Sequence, residues 1–278
     1  MTGILLIALS AFFGEVGTSI GKWEIAHRKE SLYGMGFLTA WWSVVFLLIT
    51  GLLMRHEFVF SLASLPTFCL RAVLEVTLLF VSLNAIMQAD RSTFTFLRIL
   101  TIPLLLAADV ALGYAVSLPQ MLGIGSIAIA FILLYLNHGL SARGKLLSLL
   151  AAVLAVATLS LYKYDISHFN SVEAEQSAIY FILVPTLFIA AKVRTGENVL
   201  GYLARPVFLG QSLAAGASSL LASFAYLFSA ASVVTAASRS FEMLAAIASG
   251  RLVFHEKNPL LKAAAFVFIA AGIVLLTR

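Results

Sequence analysis

Apolar runs of about 20 residues recur along the entire chain, and this recurrence narrows the available folds more than any other feature. An α-helix rising 1.5 Å per residue needs about 20 residues to cross roughly 30 Å of hydrocarbon. The runs cover 3–22, 32–54, 66–88, 92–114, 119–138, 144–162, 174–192, 202–228, 232–254 and 259–277. None shows strict alternation, and backbone groups in lipid must be satisfied within their own segment. A barrel is therefore excluded and an all-α membrane protein with ten transmembrane helices is expected. Composition agrees, with 61% hydrophobic and 11% charged residues among 278 and a mean hydropathy of +1.01, above ordinary globular domains. The expected location is the cell membrane, as a multi-pass protein surrounded by membrane lipids. The run GILLIALSAFFGEVGTSIG has no basic stretch before it, so it reads as a first span rather than a cleaved signal.

The halves of the chain overlay with a period of about 141 residues. GILLIALSAFFGEVGTSIGK (3–22) lies over GKLLSLLAAVLAVATLSLYK (144–163), each ending in lysine, at Lys22 and Lys163. At an offset of 142, IAIAFILLYL (127–136) lies over IAAGIVLLTR (269–278) without a gap. An odd number of helices per unit reverses the second copy in the membrane. Two inverted five-helix repeats are expected, 1–139 and 140–278, an arrangement on which many transporters are built. Runs eight and nine are crowded with small residues, which serve close helix packing and also leave room for a cavity.

Of the 18 lysines and arginines, twelve fall in the connections after odd-numbered runs. The positive-inside rule then puts those connections in the cytoplasm and both termini outside. The net charge of +5 is dispersed over short connections rather than gathered on a basic face, which argues against nucleic acid as a partner. Cys69 is the single cysteine, so no intrachain disulfide or multi-cysteine metal site is available. His27, His56, His138, His168 and His255 sit in or beside connections without i,i+4 pairing, which makes a metal site improbable. There is no phosphate-cradling loop and no nucleophile elbow. No cofactor, no catalytic residue and no enzyme activity is expected, and any transport energy would come from gradients.

Residues 70–103 read LRAVLEVTLLFVSLNAIMQADRSTFTFLRILTIP. This stretch resembles the EamA-type repeat of the drug/metabolite transporter superfamily, with a Leu-Arg opening the third helix at Arg71 and a proline in the fourth at Pro103. Lys22, Lys163 and RLVFHEKN (251–258), with Glu256 before the last helix, also match, and the resemblance covers nearly the whole chain. Three positions depart from the pattern: Trp41 and Trp42 replace an early arginine, no acid stands near Val116 and Ser117, and Glu242 occupies the place of a proline. The resemblance implies a cavity lined by helices one, three, four, six, eight and nine, with amino acids, organic anions or amphipathic drugs as cargo. It also implies cytoplasmic termini, opposite to the charge count.

An ionisable group at the bilayer centre costs about 2.5–3.5 kcal/mol on insertion scales, so each one inside a run needs a reason. Arg71, near the start of its run, is expected to snorkel to the interface. Glu75 shares its helix face and is either its ion-pair partner or a cavity residue. Glu15 has no basic partner on its own helix; it is a candidate for proton coupling or for binding a substrate amine, or else a neutral hydrogen-bonding acid. Arg98 displaced by 142 falls one residue from Arg239, so under inversion the two flank the midplane from opposite faces. Arginine keeps its charge and its fork fits carboxylate or phosphate. The pair is the leading anion-site candidate, with Glu242 as the competing partner of Arg239. Asp109 is expected at the far interface. Asn84, Gln211 and Tyr226 are further polar candidates, Tyr226 lying at the repeat equivalent of Asn84.

The function expected is a secondary transporter or facilitator of a small polar, carboxylate-bearing metabolite or drug-like amphiphile, working by alternating access. Transport of phosphorylated sugars or nucleotides is the alternative, since basic residues on the fourth and ninth helices serve phosphate in related organophosphate transporters. A non-transporting sensor or assembly protein is a second alternative. A homodimer is left open.

Overall fold

A computed structural model of the chain describes residues 2–27, 30–88, 94, 97–136, 144–254 and 259–277. Side chains are described for all of these except residues 22, 26, 86, 87, 134–136, 243, 245–254 and 259–263. The side chains of Lys22, Arg251 and Lys262, and all of Arg28, Lys29, Arg91, His138, Arg143, His255, Glu256, Lys257 and Arg278, therefore lie outside the described residues.

Helix is the only regular secondary structure among the described residues. The long helices are α1 (Thr2–Ala26), α2 (Leu32–Leu48, prolonged by the π-helical turn Ile49–Met54), α3 (Leu65–Gln88), α4 (Thr101–Ala111) and α5 (Leu118–Leu136). They continue with α6 (Lys145–His168), α7 (Val172–Thr195), α8 (Pro206–Phe228), α9 (Ala231–Phe254) and α10 (Pro259–Leu276). Among the described residues, six segments are long and apolar enough to cross a membrane: Thr2–Ile25, Leu32–Met54, Leu62–Ala85, Lys145–His168, Val172–Thr195 and Pro206–Phe228. Large apolar side chains such as Phe12, Val73, Phe181 and Phe266 are exposed on the outside, which suits lipid as the surrounding solvent.

Helix starts follow local chemistry. Pro66, Pro119, Pro206 and Pro259 each stand first or second in their helix, where the missing N–H costs no bond. Ser31 and Ser171 cap α2 and α7, their hydroxyls accepting the N–H of Gly34 at 3.1 Å and of Ala174 at 3.3 Å. Pro103 cannot donate to the Ile99 carbonyl. The helical course tightens to a single i→i+3 turn at Leu100, and the Thr101 hydroxyl donates to the Arg98 carbonyl at 2.6 Å.

One segment departs from the sequence expectation. YKYDISHFNSVEAEQ reads as a polar connection, yet α6 continues to His168 and α7 begins at Val172, leaving only 169–171 between them. The acids of this segment thus stand on helices and are buried.

α1 packs along α8 and α9, α3 along α6 and α7, α2 against α7 and α8, α4 against α6 and α9, and α5 along α10. Small residues permit the closest approaches. A Cβ on Gly216 would stand 2.7 Å from the Trp42 Cβ, and one on Gly123 2.8 Å from the Gly272 carbonyl oxygen. Hydroxyls stitch the same seams: Ser10 donates to the Ser218 carbonyl and Ser126 to that of Phe268, both at 2.8 Å. The largest buried apolar cluster, including Ile4, Ile102, Leu105, Ile127, Tyr162 and Val233, forms where α1, α4, α5, α6, α8 and α9 meet.

Candidate functional site

Two clusters of charged side chains gather around arginines on the helices. The first surrounds Arg71, which is expected at an interface but is 2% exposed and bonded on every side but one. The C-terminal part of α6 and the first turns of α7 cover it. Its Nη1 donates to Glu175 Oε1 at 2.6 Å and its Nη2 to Gln176 Oε1 at 2.7 Å, while Glu75 stands 3.7 Å from Nη2. The guanidinium lies over the Tyr162 ring, 4.5 Å from its centroid. Glu175 is completed by Asn170 Nδ2, which donates to its other oxygen at 2.7 Å. Burial of such a pair is tolerable because charge and hydrogen-bond geometry are satisfied together.

The second cluster joins α4 and α9. Arg239 Nη1 donates to Glu242 Oε2 at 2.7 Å, and Ser238 donates to Glu242 Oε1 at 3.1 Å. Arg98, half-buried and packed with its guanidinium 5.4 Å from the Phe94 ring centroid, lies within electrostatic reach of both Arg239 and Glu242. Arg98 makes no ion pair among the described residues, and the buried Nε of Arg239 has no hydrogen-bond partner there. Two guanidiniums therefore share one carboxylate, and that carboxylate is 48% exposed.

Aromatic rings connect the clusters. Tyr162, under Arg71, meets Tyr226 edge-on with centroids 5.5 Å apart. The Tyr226 and Thr235 hydroxyls are 3.2 Å apart, and Tyr226 lies within electrostatic reach of Arg239 and Glu242. The structure thus brings Arg98, Arg239, Glu242 and Tyr226 together and places Glu75 beside Arg71.

The remaining candidates stand apart. Glu15 accepts a hydrogen bond from Ser19 on its own helix at 3.3 Å and pairs with no cation among the described residues. Asn84 donates to the Phe80 carbonyl at 2.8 Å. Gln211 is buried at the far end of α8, donating to both oxygens of Glu30 at 3.1 Å. Burial pushes the Glu30 carboxyl up to about 7; the Gln211 bond opposes this, and the charges of Glu197 and Glu24 add to it.

Asp109, expected at an interface edge, is buried with a defined task. Its carboxylate accepts the N–H groups of Ala231 at 3.3 Å and Ser232 at 2.7 Å, capping the N-terminus of α9 across a helix junction. Sequence reasoning also missed Glu175, Gln176 and Tyr162. The available signal was Ser171 followed by two acids, an N-cap with acidic first-turn residues that marks a helix start and not a connection.

No family model and no curated protein matches the chain. A solved structure described as "Crystal structure of protein" is similar over 99% of this chain and 96% of its own, with a TM-score of 0.73 and 12% sequence identity. At that identity the likeness shows the fold alone.

Proposed function

We propose that this chain is a secondary transporter or facilitator of a small anionic metabolite, one bearing a carboxylate, that works by alternating access between two inverted five-helix units of the EamA type. The single observation that carries the reading is the charge imbalance of the second cluster. Among the described residues, Arg239 pairs with Glu242 and Arg98 has only the same carboxylate within electrostatic reach, and an unmatched cation is costly wherever hydrocarbon surrounds it. A carboxylate entering between them supplies the missing counter-charge with bidentate geometry.

The helix packing supports the inverted repeat. Exchanging α1 to α5 with α6 to α10 turns the α1–α8 contact into α6–α3, α1–α9 into α6–α4, and α2–α8 into α7–α3, all of which occur. The pairs α2–α7, α4–α9 and α5–α10 map onto themselves and occur as well.

Uptake into proteoliposomes, screened over amino acids, organic acids and sugar phosphates, tests the reading. Saturable flux of a carboxylate, lost in Arg98→Ala, is the expected result. Flux of sugar phosphates alone would move the assignment to the phosphorylated class, and no saturable flux for any compound would refute transport.

A further inference from the structure

The first cluster has the opposite imbalance from the second. One guanidinium, Arg71, faces two carboxylates, Glu175 and Glu75, and they are not equivalent. Glu175 holds Arg71 at 2.6 Å, is fully buried, and has its other oxygen occupied by Asn170. Glu75 stands 3.7 Å away and keeps 20% of its side chain exposed. Among the described residues, no second cation pairs with either carboxylate. From α6, Thr158 faces Glu75 and Tyr162 stacks under Arg71; from α7, Gln176 takes the second Arg71 nitrogen, and Tyr180 lies within reach of Glu75. Asp165 is a further acid within reach of Arg71, held by the Thr67 hydroxyl. Lys163 turns away, donating to the Tyr226 carbonyl.

We infer that Glu75 is a proton-exchange site. Its carboxylate takes a proton from water on the exposed side, forming a neutral O–H while Glu175 keeps the guanidinium, and it releases that proton to water when it reopens. The physical reason is the cost of a surplus charge among helices in hydrocarbon, which a carboxylate can remove by protonation and an arginine cannot. The coupling consequence rests on the transport reading above. An anion drawn to Arg98 and Arg239 would travel with a proton carried on Glu75, and the Tyr162–Tyr226 contact joins the two places.

Infrared difference spectra of the purified full chain, carrying carboxyl-labelled glutamate and stepped in pH without cargo, read the proton directly. A protonated-carboxyl band is expected in the wild type, lost in Glu75→Gln, shifted in position in Glu75→Asp and moved to lower pH in Glu175→Gln, where Glu75 becomes the carboxylate that balances Arg71. No pH-dependent band in the wild type, or one that survives Glu75→Gln, would overturn the inference. Proteoliposomes loaded with pyranine test coupling with the same panel of amino acids, organic acids and sugar phosphates. Cargo-evoked acidification is expected in the wild type and abolished in Glu75→Gln, with radiolabel counterflow retained; acidification that persists in Glu75→Gln would overturn the coupling. If no cargo moves at all, transport fails while the infrared result still decides Glu75.

Discussion

The Arg71 and Arg98–Arg239 clusters use the same two residue types and reach opposite ends. Around Arg71 two carboxylates surround one guanidinium, nearly every polar atom of the guanidinium is bonded, and Arg71 and Glu175 are buried while Glu75 keeps a partly exposed edge. Around Arg98 two guanidiniums surround one carboxylate that is half open. A buried ion pair with its bonds complete holds helices in place; a charge left incomplete beside open space is suited to a ligand. On the function proposed above, the contrast puts structure at one arginine and binding at the other two.

The contrast breaks most forcefully at Arg71. Arg71→Met should strand Glu175 in a dry environment and cost about 3–5 kcal/mol, seen as a large drop in thermal unfolding temperature in detergent. Arg98→Ala and Arg239→Ala should do the reverse, lowering uptake by at least about 10-fold, the value of about 1.4 kcal/mol of lost binding, with little change in unfolding temperature. A destabilisation of Arg98→Ala as large as that of Arg71→Met would erase the distinction. Asp109→Asn removes a charged cap from α9 and should cost about 1 kcal/mol, measured by the same melts. A pH-dependent effect is expected at Glu30. The folded state favours its protonated form, so stability is full below the ordinary glutamate range and falls as pH rises through about 7. A series of melts across that window should flatten in Glu30→Gln.

The all-helical, membrane-like character and six of the spans were legible because hydrocarbon demands length and apolarity, which a sequence displays directly. The near-equivalence of Arg98 and Arg239 was legible too, since the offset of 142 places them one residue apart; that they lie within electrostatic reach of each other is known from the structure. Arg71 was misplaced for a physical reason. Counting residues from a helix start measures depth along that helix, but burial depends on what the neighbours cover. Here α6 and α7 each extend into a segment whose density of polar residues reads as connection, and they bring Glu175, Gln176 and Tyr162 over it. Asp109 was misread likewise, because its partners are backbone N–H groups 122 and 123 residues away.

Thermal stabilisation of the purified protein by the carboxylates and sugar phosphates of the panel, compared between the wild type and the Arg98→Ala, Arg239→Ala double variant, tests the binding assignment most directly. At least one carboxylate should raise the unfolding temperature of the wild type and leave the double variant unmoved. Equal stabilisation of both proteins would contradict an anion site at these two arginines.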